Sequence, residues 1–156
     1  MPLIKGRITD RKAVVEVGLQ AGQPLLGSVD SGSSFAEIPI HSMRGLIDTG
    51  AQVTMLTPRA VRQLDLQPRG KRLLGNVSNV ARHNTYFFVM GVWYSMDEGQ
   101  TLNSTRSYFA FEPVYGCDLR VESDFDVLIG MDIILQGDLH ISRSGEFVWA
   151  VGREYQ

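Results

Sequence analysis

From Ala13 to Leu19 the chain reads Ala-Val-Val-Glu-Val-Gly-Leu, β-branched and partly alternating, which predicts a strand with one face on a core. Positions 20–43 carry the end of that strand through turn chemistry at Ala21-Gly22-Gln23-Pro24 into a mobile Ser/Gly/Asp-rich loop from Gly27 to Ser34. Arg44 to Ile47 climbs back into apolar sequence and ends at Asp48-Thr49-Gly50. Val53 to Leu56 reads as a short strand. Thr57-Pro58 then starts a short helix to about Leu64, with Thr as cap and Pro in the first turn. Lys71 to Leu74 leads into Gly75-Asn76-Val77-Ser78-Asn79, residues suited to a hairpin tip. Thr85 to Tyr94 is the strongest β stretch, and Asp97 to Gln100 turns it back toward Ser107 to Phe111. Pro113 to Asp124 reads as irregular and polar. Phe125 to Ile129 is a buried strand, Met131 to Leu135 a short helix, and Leu139 to Ser142 with Glu146 to Val151 a closing hairpin around Ser144-Gly145. Many short strands with little helix predict an all-β, barrel-like fold.

Composition adds limits to this pattern. The 156 residues suit one domain, 1–156 with its core over about 7–151, and a domain of that size buries roughly 70% of its unfolded surface. Hydrophobic content of 44%, 21% charged residues and a net charge of −2 are ordinary for a globular protein, so no nucleic acid partner is expected. The beginning of the chain lacks a secretory apolar region, and no run is long enough to cross a bilayer, so no membrane association and a cytoplasmic location are expected. The one cysteine, Cys117, has neither a disulfide partner nor metal-site spacing and is read as structural.

The chemistry concentrates where Leu46-Ile47 delivers Asp48 into the tight Thr49-Gly50-Ala51 turn. By itself Asp-Thr-Gly is also a plausible turn of any β protein. Its company is more specific: Thr54 and a helix start follow, and Leu128-Ile129-Gly130, a second apolar strand ending in glycine, precedes another short helix. This order resembles the retropepsin-like aspartic proteases, in particular bacterial single-domain relatives of the retroviral enzymes.

That resemblance implies a closed β-barrel of the acid protease fold, with one or two short helices and a flap hairpin over residues Gly75, Asn76, Val77, Ser78 and Asn79. It implies two interlocking loops, one carrying Asp48 and the other built on Leu128, Ile129 and Gly130, with glycine at 130 allowing backbones to approach closely. It further implies a homodimer, because the mechanism needs two carboxylates and the chain offers one credible Asp-Thr-Gly. Two Asp48 side chains on a two-fold axis would share one proton, and the Thr49 hydroxyl would tie the loops together across that axis. The substrate would be an extended peptide or protein segment under the flaps, with no cofactor and no metal. Val53, Leu56 and Ile133 are near enough to wall side-chain pockets, although their first reading is core.

Two departures accompany the resemblance. Asp30-Ser31-Gly32-Ser33-Ser34 looks like the corresponding stretch of pepsin-type lobes, but it lies too close to Asp48 in sequence to own a second barrel and is read as a surface loop. Retroviral members pair an acid two positions after the turn glycine with an Arg after the C-terminal glycine. Here those places hold Gln52 and Met131, and Asp132 is read as capping the helix start. Aspartyl-phosphate chemistry is disfavoured, since position 50 is Gly where a second acid would be wanted and the helices of a parallel α/β sheet are missing. A second reading stays beside the protease: a retropepsin-like module that dimerises or binds peptides without cutting them.

Overall fold

A computed structural model describes residues 1–22, 38–75, 78–95 and 106–152. Among these the chain runs β1 (Leu3–Arg7), β2 (Ala13–Ala21), β3 (His41–Ile47), β4 (Met55–Leu56), α1 (Pro58–Gln63), β5 (Lys71–Gly75), β6 (Val80–Ser95), β7 (Arg106–Ala110), β8 (Val114–Asp118), β9 (Val127–Ile129), α2 (Met131–Ile134), β10 (Gly137–Ile141) and β11 (Glu146–Val151). The fold is mostly β, as the periodicity predicts.

The strand β6 is the spine. Its 16 residues pair successively with β5 through Val80–Asn84, with β8 through Thr85–Phe88, with β2 through Phe88–Val92 and with β7 through Gly91–Ser95. Aromatic and β-branched side chains suit such a strand, because they fill a pleated surface covered on both sides. The larger sheet follows the order β2-β3-β9-β4-β8-β6, and the β2–β6 pairing returns it on itself. A separate three-stranded sheet, β1-β11-β10, lies against it. One cluster of buried side chains joins the two, with Val15, Val17 and Leu19 of β2, Phe88 and Met90 of β6, and Phe147 and Trp149 of β11. Along the first half of β2, buried Ala13, Val15 and Val17 alternate with less buried Val14 and exposed Glu16, as a strand with one wet face requires.

Two strands form where the sequence reading predicts none. Residues 113–124 contain β8, which pairs parallel to β4 and antiparallel to β6. Its own propensity is weak, but pairing on both edges overrides it. Gly116 is part of that bargain, since a Cβ there would stand 2.6 Å from the Phe88 ring and 2.8 Å from the Thr54 carbonyl oxygen. Leu3–Arg7, which carries no periodic signal, is a strand because β11 offers it an edge. The helix α1 is as predicted: Thr57 caps it, its hydroxyl accepting from the Ala60 N–H at 3.3 Å, with Pro58 following in the first turn. The predicted strand over 53–56 contracts to Met55–Leu56, and that over 125–129 to Val127–Ile129.

The β5–β6 hairpin forms where expected, with Gly75 opposite Val80. Of its tip, Gly75, Ser78 and Asn79 are exposed, while Asn76 and Val77 lie outside the described residues. The Asp30-Ser31-Gly32-Ser33-Ser34 stretch also lies outside them. Among the described residues, the buried Gln20 side chain donates to the Ile38 carbonyl at 3.0 Å.

Candidate active site

Sequence places an apolar segment before Asp48, and the fold explains why it is needed there. Gly45, Leu46 and Ile47 run parallel to Val127, Leu128 and Ile129, so both strands enter the interior side by side. The Asp48 N–H continues this ladder by donating to the Ile129 carbonyl at 2.9 Å. The turn then closes on itself. The Gly50 N–H donates to Asp48 Oδ1 at 2.9 Å, and the Ala51 N–H to the Asp48 carbonyl at 3.2 Å. A half-buried carboxylate is thereby aimed by its own backbone. A Cβ at position 50 would sit 3.2 Å from that carboxylate oxygen, so glycine keeps the approach open. Thr49 is exposed.

After the turn, residues 51–54 pass against 130–132. Met131 N–H donates to the Ala51 carbonyl at 2.8 Å, and Asp132 N–H to the Gln52 carbonyl at 3.2 Å. The two segments that carry Gln52 and Met131 are thus joined main chain to main chain. Gly130 is packed so tightly that a Cβ would lie 2.5 Å from the Val53 carbonyl carbon and 2.6 Å from its oxygen. The predicted close approach at Gly130 is met.

A polar knot at Thr54 fastens the crossing. This residue is fully buried; its hydroxyl donates to Asp132 Oδ1 at 2.7 Å and accepts from the Gly130 N–H at 3.0 Å. The Thr54 N–H also donates to the Asp132 carboxylate at 3.0 Å. Asp132 accepts from the Ile133 N–H of α2 as well, so the predicted helix-start bond exists, but most of the carboxylate's bonds go to Thr54. Nothing local in the sequence pairs positions 54 and 132. The knot emerges only when β4 and β9 run antiparallel.

A second set of bonds holds the outer side of the same strands. Asp126 Oδ1 accepts from Arg59 Nε and Nη2 at 2.9 and 2.7 Å, while its Oδ2 accepts from the Arg44 N–H at 3.0 Å. One carboxylate therefore links α1, β3 and the start of β9.

Beside the Asp48 turn opens a groove of about 450 Å³. Gly50, Ala51, Val53 and Met55 line one side, and Leu74, Ala81 and His83 of the hairpin line the other. Of the apolar residues that sequence placed near the site, Val53 reaches this groove, whereas Leu56 and Ile133 are fully buried in the core. Behind the hairpin wall, His83 Nδ1 lies 2.9 Å from Asp118 Oδ1 and 2.8 Å from the Asp118 carbonyl oxygen. Sequence reasoning misses this pair, because Asp118 ends β8, a strand whose residues read locally as irregular. Cys117, next to it, is fully buried, and burial pushes its thiol up. Among the described residues, no helix is long and apolar enough to cross a membrane.

No protein-family model matches this chain. Curated protein sequences likewise yield no match. Among solved structures it is similar to a retropepsin-like aspartic protease from Rickettsia conorii, at a TM-score of 0.54 and 13% identity, over 96% of this chain and 90% of that one. At that identity the likeness concerns the fold: this is an all-β, retropepsin-like architecture, with two short helices among the described residues.

Proposed function

We propose that this chain is a single-domain aspartic endopeptidase, active as a homodimer, with Asp48 contributed by each copy. One observation carries the reading. The Asp48 carboxylate is oriented by the Gly50 N–H, at the crossing of two interlocked loops, beside a groove walled by a hairpin. A fixed acid next to a peptide-sized cleft is what water-mediated peptide hydrolysis requires.

In the proposed dimer two Asp48 carboxyls meet on the axis. Like charges at that distance do not both ionise cheaply, so the pair holds one proton between them. The ionised member takes a proton from a bound water as it attacks the peptide carbonyl, and the protonated member donates to the carbonyl oxygen. Collapse of the tetrahedral intermediate then sends a proton to the leaving amine. Thr49, exposed beside the acid, bonds across the axis and ties the two turns together. Leu128, Ile129 and Gly130 support the turn from below. The hairpin around Gly75, Asn76, Val77, Ser78 and Asn79 serves as the flap, covering an extended substrate that bonds main chain to main chain.

The test is cleavage of a peptide library by the wild type, Asp48→Asn and Asp30→Ala. Turnover is expected to vanish in the first variant and to persist in the second. Equal losses in both would refute a single acid per chain, and peptide binding without turnover in the wild type would favour a non-cleaving module.

A further inference from the structure

The groove wall at His83 has a chemistry that main-chain recognition of a peptide does not use. We infer that it is a subsite for an acidic substrate side chain, an assignment that rests on the peptide-cleaving reading above. The two atoms that Nδ1 meets, the Asp118 carbonyl oxygen and Oδ1, are both acceptors, so Nδ1 carries hydrogen. Nε2 is then the polar atom this ring can offer a substrate. The ring is positioned firmly, since the side chains of His83 and Asp118 are only 14% and 18% exposed.

Charge around the ring favours an acid. On the hairpin, Arg72 stands directly across from His83, and Leu74 across from Ala81, so these four share the face that turns to the groove. Arg120 Nε approaches Asp118 Oδ2 at 3.6 Å, so that carboxylate already has a cation of its own. Arg72 and Arg120 thus add positive charge on this side of the ring, and no Asp or Glu is among the described residues lining the groove there. A carboxylate arriving at Nε2 favours the doubly protonated ring, which donates from Nδ1 to Asp118 and from Nε2 to the substrate, an acid–imidazolium–acid line with a charge-assisted hydrogen bond. A neutral carboxamide in the same place gains much less. The apolar positions next to the ring, Leu74, Ala81 and Val53, accept the methylenes of a glutamyl side chain.

The experiment uses peptides that differ only by Glu, Gln or Lys at one position at a time around a cleavable bond, with wild type, His83→Gln and His83→Lys. At one position wild type is expected to favour Glu over Gln by about tenfold or more in kcat/KM. That preference should fall to about unity in His83→Gln and persist in His83→Lys, which supplies a cation without the ring. Cleavage without any Glu preference, or with the same preference in His83→Gln, would overturn the subsite and leave the protease standing. If no peptide is cut, calorimetry with the same peptides decides. Glu-selective binding that depends on His83 would keep the subsite and overturn the protease, whereas absence of both cleavage and binding would overturn both.

Discussion

Replacing Thr54 by valine removes one hydroxyl from the crossing of the two loops while keeping the shape of the side chain. Two bonds go with it. The first is donated to the Asp132 carboxylate at 2.7 Å, and hydrogen bonds to charged groups contribute about 1.5–3 kcal/mol. The second is accepted from the Gly130 N–H at 3.0 Å. That donor is buried, and a buried donor left without a partner costs about 1–3 kcal/mol. Asp132 keeps its bonds from the Thr54 and Ile133 N–H groups, so the carboxylate is not abandoned and the two losses overlap in part. The expected destabilisation is about 3–5 kcal/mol, a large share of the roughly 5–15 kcal/mol of a typical domain. Urea unfolding of wild type, Thr54→Val and Thr54→Ser at one protein concentration measures it, with the slope expected to stay constant. Thr54→Ser keeps the hydroxyl, loses one methyl and should cost only about 1 kcal/mol. A Thr54→Val protein within about 1 kcal/mol of wild type would refute the polar knot. Equal losses in the two variants would mean that retaining the hydroxyl protects nothing, and would also count against the knot.

Gly130→Ala places a Cβ 2.5–2.6 Å from Val53 backbone atoms that cannot turn aside, and should cost about 3 kcal/mol in the same unfolding experiment. A near-neutral result would mean that the loops are not interlocked as described. Cys117 is buried, and its thiol is pushed above the ordinary range chiefly by that burial, so at mildly alkaline pH it holds less thiolate than a free cysteine. A disulfide reagent should label it only as fast as the fold opens and completely in urea; rapid labelling of the native protein would contradict the placement of β8.

What sequence disclosed and what it concealed divide along a physical line. The Asp48 turn and the Thr57–Pro58 helix start are encoded within a few residues, in side chains whose local chemistry has few alternatives, whereas the close approach of Gly130 to the distant Val53 is expected only from the family resemblance. The Thr54–Asp132 knot and the His83–Asp118 pair are set by strand register across long separations, which no local periodicity records. The strand β8 illustrates the difference. Val-Tyr-Gly-Cys-Asp has little to recommend it as a strand alone, yet it sits between β4 and β6 and brings Asp118 to His83. Likewise Asp132 reads locally as a helix-start acid, and the fold turns most of its carboxylate bonds to another element. Glycine at 116 is legible only after the fold is known, because its neighbours Phe88 and Thr54 come from distant strands.

The central claim, one Asp48 from each of two copies, is tested most directly by mixing wild type with Asp48→Asn at fixed total protein under conditions that allow subunits to exchange. If each active site needs both acids, mixed dimers are inactive and peptidase activity follows the square of the wild-type fraction, about a quarter at equal parts. Activity that falls in direct proportion to the wild-type fraction, about a half at equal parts, would show that each chain works with its own acid and would contradict the account.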